Sequence, residues 1–141
     1  MADLNVEITR TNRKVHFEGV SDANPERRIP FDFAPPLGDG NGFAGLELLL
    51  MSFAGCVSTT VVFLLGRMGK KVGAYQASAQ GVRREQPLSL AKIHLHLQLE
   101  VEQGTDAEME AVLKQAEALS PVWQAVKNNI AVTVTYTLQS A

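Results

Sequence analysis

The chain has 141 residues, 45% of them hydrophobic, with 13 basic and 15 acidic side chains and a formal net charge of -2. That length fits a single domain over residues 1–141 with a proper core, and the lack of a basic excess excludes an electrostatic footprint for nucleic acid. Cys56 is the only cysteine, which excludes an internal disulfide and fits a reducing compartment. The opening MADLNVEITRTNRK lacks an apolar core followed by a small-residue cleavage site, so no secretory signal is expected and the cytoplasm is the expected location.

Val6 and Ile8 alternate with polar neighbours over Asn5–Thr9, and Val15 and Phe17 do the same over Lys14–Glu18. Both patterns predict half-buried strands joined by a turn around Thr11-Asn12. Ile29, Phe31 and Phe33 predict a third short strand after the turn-forming Asp22–Pro25. The next stretch, APPLGDGNGFAG from Ala34 to Gly45, is too dense in Pro, Gly and Asn for regular structure. It is expected to be the loop that delivers the chain to a long helix.

From Leu48 to Gly66 the sequence reads LLLMSFAGCVSTTVVFLLG, without a charge. A run of roughly 20 apolar residues is long enough to cross a bilayer. Ser52, Ser58, Thr59 and Thr60 within it, and the α+β pattern around it, predict a buried core helix and no membrane partner. One small sheet covers only one face of such a helix. A second copy of the chain is therefore expected to cover the rest, making an obligate homodimer. Arg67, Lys70 and Lys71 sit where cations complement the helix dipole, and Gly69 marks the stop.

Tyr75–Arg84 reads as a strand, and Ala91–Val101 is the clearest strand in the chain. Ile93, Leu95, Leu97, Leu99 and Val101 share one face of it, and His94, His96, Gln98 and Glu100 share the other. Thr105 and Glu108 form a capping box that opens a helix with the apolar stripe Met109, Val112, Leu113, Ala116 and Leu119. Pro121 is placed to end or restart that helix. Ile130, Val132, Val134, Tyr136 and Leu138 then alternate with threonines in a final strand. An H-x-H pair can hold zinc, but His94 and His96 lack convincing further ligands, so a polar row facing solvent and no metal or other cofactor is expected.

Taken alone, a cysteine on a buried helix is either a small hydrophobe or a housed nucleophile. Peroxide reduction requires the thiolate, and an apolar setting by itself suppresses that form. A working site must bring a cation to the sulfur, most simply an arginine oriented by a carboxylate. Arg13, Arg27, Arg28, Arg83 and Arg84 are all candidates, and the sequence does not choose among them. Thr59 and Thr60 are expected to bond back to helix carbonyls, and Trp123 reads as core or as a cap near Cys56.

The segment GLELLLMSFAGC ending at Cys56, followed by a helix and by KIHLHL from Lys92 to Leu97, resembles the OsmC/Ohr family, in its OsmC-like, YhfA-type branch. The resemblance runs through most of the chain. It implies an α+β, OsmC-like fold with antiparallel sheets wrapped around long central helices in an intertwined homodimer. It also implies a thiol peroxidase acting on organic hydroperoxides at the subunit interface, in the oxidative stress response. Cys56 falls on the family's peroxidatic cysteine. Ser120, in the Leu119-Ser120-Pro121 segment, occupies the position of the resolving cysteine. Serine cannot form the disulfide that follows sulfenic acid formation, so a small-molecule peroxide and an external thiol reductant are the expected partners.

Glu47 resembles the glutamate near the helix start in the YhfA-type branch and is the candidate arginine orienter, whereas in the Ohr branch the functional glutamate aligns with Leu46. On a straight helix Glu47 and Cys56 stand about 13.5 Å apart and roughly half a turn round. An acidic residue in a helix's first turn is also favoured by the dipole alone. The leading expectation is thus a one-cysteine peroxidase. The alternative is a non-catalytic dimer of the same fold that binds an apolar small molecule in its interface pocket, with Cys56 a passive wall residue.

Overall fold

The N-terminal alternation folds into an antiparallel sheet in a computed structural model that describes residues 2–140. Its strands are β1 (Val6–Arg10), β2 (Phe17–Ser21) and β3 (Asn24–Phe31), in the order β1-β2-β3. They belong to the first of two compact units, one ending at Leu48 and the other beginning at Leu49. β2 starts three residues later than its alternation predicts. The cause is Asn12, whose side-chain oxygen accepts the backbone N–H groups of Lys14 (2.9 Å) and His16 (3.1 Å) and holds that stretch as a turn. β3 begins inside the expected turn, because Asp22 and Ala23 alone reverse the chain. Pro25 is tolerated there because β3 is an edge strand. β1 is not half-buried as predicted: Val6 is 72% exposed and Ile8 54%.

The loop after β3 is organised by one carboxylate. Asp32 is 2% exposed. Its Oδ1 accepts the N–H of Phe33 (2.8 Å), and its Oδ2 accepts those of Asn41 (3.0 Å) and Asp39 (3.3 Å). The Asn41 N–H is the main influence lowering the Asp32 pKa; burial opposes it, and the Phe33 and Asp39 N–H groups and His16 assist. Asp32 N donates to Phe43 O (3.2 Å) and Phe43 N to Pro30 O (3.0 Å), which pins the far end of the loop against Phe31. Gly38 is obligatory by space, since a Cβ there would stand 2.2 Å from Asp32 Oδ1 and 2.3 Å from Phe33 O.

Helix α1 (Gly45–Arg67) begins in the first unit and carries its buried stripe, Phe53, Val57, Val61, Leu64 and Leu65, into the second. It ends in a Schellman motif: Lys70 N donates to Leu65 O and Gly69 N to Gly66 O, both at 3.0 Å, with Gly69 at φ +76°. Lys70 does more than complement the dipole. Its Nζ reaches Gln103 O (2.9 Å) and Glu108 (3.0 Å), tying the helix end to the next capping box.

Three strands form the second sheet: β4 (Val72–Glu85), β5 (Leu88–Val101) and β6 (Ala131–Ser140), with β5 central. β4 and β5 pair antiparallel, as expected. β5 and β6 pair parallel, which departs from the all-antiparallel expectation. The connection explains it: α2 (Asp106–Leu119) and α3 (Pro121–Val126) form the crossover that a parallel pair requires. Thr105 and Glu108 make both halves of the predicted capping box, and Pro121 stands at the first position of α3.

Ile93, Leu95, Leu97, Leu99 and Val101 are all buried, with Met109, Val112 and Ala116 of α2. Leu119, predicted in the stripe of α2, is 55% exposed because the helix ends there and Ser120 takes the inward position. Leu50 of α1 lies against β4, where a Cβ on Gly81 would meet its side chain at 3.0 Å. On the opposite face of the sheet, β6 threonines satisfy the histidines. His94 pairs with Thr133, and His96 reaches Thr135 (2.7 Å) and Thr137 (3.1 Å).

Leu97→Ala is expected to cost about 2–5 kcal/mol in urea unfolding, since Leu97 is fully buried in the central strand. Asp32 is depressed below its unfolded value of 3.8, so it contributes stability above that pH that is lost as pH falls through the folded value. Asp32→Asn is expected to lower the urea midpoint at neutral pH and to flatten its decline in acid.

Candidate active site around Cys56

α1 starts cleanly because Glu47, its third residue, accepts the N–H of Ala44 at 2.9 Å through Oε1. This is the glutamate half of a capping box. Glu47 therefore has a structural role at the helix start, and its Oε2 makes no hydrogen bond among the described residues.

Cys56 is half-buried on the border of two unlike faces of α1. Phe53, Val57 and Val61 lie on one side, all at zero exposure. Ser52, Gly55, Thr59 and Phe63 lie on the other, all exposed. The exposed stripe continues through Met51, Val62 and Gly66. The expectation of a helix buried on every side thus holds for one stripe of the chain by itself. Spacing explains which residues are bare: they recur at three and four, the period of a single helix face.

Thr59 and Thr60 bond back as predicted, to Gly55 O at 2.8 Å and to Cys56 O at 3.0 Å. Thr60 has a second contact that the sequence did not reveal. Ser120, at zero exposure, donates its hydroxyl to Thr60 Oγ1 at 3.0 Å. A chain of hydrogen bonds thus runs from the α2–α3 joint to the carbonyl of the cysteine. Ser120 is held by its backbone as well, its N donating to Ala116 O and its O accepting from Gln124 N. Close by, Trp123 is core: its ring meets that of Phe53 edge-on, 5.7 Å between centroids.

Of the arginines considered, Arg28 pairs with Glu18 at 3.0 Å and Arg27 is exposed. Arg13 lends its carbonyl to the Arg10 guanidinium. Arg83 and Arg84 lie exposed on β4. Within the second unit no arginine donates to the Cys56 sulfur among the described residues, and Arg67 lies over the Phe63 ring, 5.7 Å from its centroid. No group of three or more metal-binding side chains occurs among the described residues.

Residues 38–135 match the family described as OsmC-like protein. No curated protein sequence is similar enough to the chain to count as a relative. Among solved structures, an OsmC-like protein from Mycoplasma pneumoniae superposes with a TM-score of 0.83 at 17% identity, over 98% of each chain. A hypothetical protein from Aquifex aeolicus VF5 gives 0.83 at 19% identity, over 100% of this chain and 99% of the other. An organic hydroperoxide resistance protein from Elizabethkingia anophelis gives 0.66 at 15% identity, over 100% and 98%. At these identities the likeness establishes the α+β fold alone. The sequence match, by contrast, spans more than half of the chain and takes in Glu47, Cys56 and Ser120, and on that ground the chain belongs to the OsmC-like family.

Proposed function

We propose that the protein is a one-cysteine peroxidase that reduces organic hydroperoxides or hydrogen peroxide at the interface of a cytoplasmic homodimer. The observation that carries this reading is the position of Cys56, at the edge of the bare apolar stripe of α1. There a thiol is open to a ligand yet shielded from bulk water. The organic hydroperoxide resistance proteins among the fold relatives support a redox role in peroxide stress. The stripe itself, with Met51, Val62 and Phe63 exposed, supports a second copy of the chain as its cover.

In this reading the Cys56 thiolate attacks one peroxide oxygen, the S–O bond forms as the O–O bond breaks, and the alkoxide leaves. An arginine of the dimer holds the thiolate ionised and stabilises the departing oxygen. Glu47 orients that guanidinium through Oε2 while Oε1 keeps the helix cap. Ser120 has no sulfur to offer, so an external thiol reduces the sulfenic acid.

A second reading, a non-catalytic dimer that binds an apolar small molecule, draws on a specific feature of the first unit. Ile8, Val15, Phe17, Phe31, Phe33 and Leu37 help to line a cavity of about 370 Å³, within the range of small-molecule sites.

Hydroperoxide consumption coupled to a dithiol separates the two. The wild type is expected to turn over cumene hydroperoxide and Cys56→Ser to lose all turnover; a wild type that consumes none, with Cys56 still reduced by mass spectrometry, leaves the binding reading standing. Glu47→Gln keeps an acceptor for Ala44 N but no charge for an arginine. Its unfolding midpoint is expected to stay near wild type while the rate falls by roughly tenfold, the scale of one charge-assisted hydrogen bond. An unchanged rate would remove Glu47 from the site.

A further inference from the structure

Thr60 stands one turn beyond Cys56, where side chains four residues apart are neighbours on a helix surface, with Cβ atoms about 5–6 Å apart. Its hydroxyl leans back over the cysteine's own turn to donate to Cys56 O at 3.0 Å. A hydroxyl has one proton and two lone pairs. The proton of Thr60 is committed to that carbonyl and one lone pair to Ser120, whose hydroxyl donates at 3.0 Å. The second lone pair takes no hydrogen bond among the described residues. Ser120 is fully buried and anchored by its backbone at the α2–α3 joint, so the orientation of Thr60 Oγ1 is set from both sides.

Resting on the peroxidase reading above, we propose that Thr60, aligned by Ser120, is a positioning residue that holds Cys56 as a neutral sulfenic acid and protects it from further oxidation. In the first step the thiolate takes the terminal OH of the hydroperoxide. Sulfur is oxidised by two electrons, the O–O bond is reduced, and the alkoxide leaves to collect a proton from water. The new S–OH extends toward Thr60 and donates its proton to the open lone pair of Oγ1. Overoxidation to sulfinic acid needs the ionised sulfenate to attack a second peroxide, and a proton engaged in that hydrogen bond keeps the neutral form. A thiol then enters at sulfur, releasing water and leaving a mixed disulfide. A second thiol frees Cys56 and departs as the other half of a disulfide.

The test treats the full chain with tert-butyl hydroperoxide, first at one equivalent and then in excess. Dimedone traps sulfenic acid at timed intervals, and intact mass spectrometry counts the added oxygens. Wild type is expected to give a lasting dimedone-reactive species. Thr60→Val, isosteric but without the hydroxyl, is expected to reach the sulfinic acid roughly fivefold faster, the factor set by one neutral hydrogen bond. Thr60→Ser is expected to restore the wild-type rate, and Ser120→Ala to fall between. The alkylation rate of reduced Cys56 should be the same in all four, which a general loosening of the helix would not permit. Equal sulfinic rates in wild type and Thr60→Val, or no rescue by Thr60→Ser, overturn the proposal while the peroxidase reading stands. A cysteine that no hydroperoxide oxidises overturns both.

Discussion

The structure turns on a helix with too much hydrocarbon for its own surroundings. α1 is uncharged from Leu48 to Gly66, and its buried stripe runs through Phe53, Val57, Val61, Leu64 and Leu65. The opposite stripe, with Met51, Val62 and Phe63, faces outward, Phe63 at 57% exposure. Apolar surface left in water costs roughly 25 cal/mol per Å², so a helix of this composition is a standing demand for further cover. Small residues on the same stripe, Gly55, Thr59 and Gly66, would permit close approach by whatever meets it. Cys56 lies where the satisfied and unsatisfied stripes join.

That position sets two opposing requirements on the sulfur. Hydrocarbon on one side shelters a thiol from chance encounters. Chemistry demands the thiolate, and hence a positive neighbour. The arginines of the second unit are engaged elsewhere or exposed, and Glu47 is already tied to Ala44 N at the helix start. In the peroxidase reading, completion of the site and coverage of the bare stripe are one event. In the same reading, the proposed role of the Thr60 and Ser120 hydroxyls concerns the fate of the sulfur once it carries oxygen. Ser120 itself is fully buried and acts as a hydrogen-bond donor.

Features governed by near neighbours were legible in the sequence. The Thr105–Glu108 box, the glycine stop at Gly69, the break at Pro121 and the alternation of β5 depend on residues a few positions apart, and each appears in the fold. The β2 start was misplaced because Asn12 captures two backbone N–H groups that alternation does not register. The parallel pairing of β5 and β6 was hidden for a related reason. Parallel strands usually read as continuous apolar runs, whereas here both strands alternate and their polar faces satisfy each other through histidine–threonine pairs. Asp32 is marked by neither alternation nor helical spacing. An aspartate ahead of a Gly- and Pro-rich stretch is the available signal, and Gly38, without room for a Cβ, confirms how tightly the loop wraps it.

Of the candidate site, the sequence alone supplied Cys56, its apolar helix, and a serine at position 120. Those facts are carried by residue identity and short spacing. It could not supply the link between Thr60 and Ser120, which are sixty positions apart, nor the division of α1 into covered and bare stripes. An all-apolar helix has no sequence signal for which side is turned inward. Contacts from β4 to Leu50, from Trp123 to Phe53 and from Ser120 to Thr60 break that symmetry, and with it decide on which face the cysteine looks out.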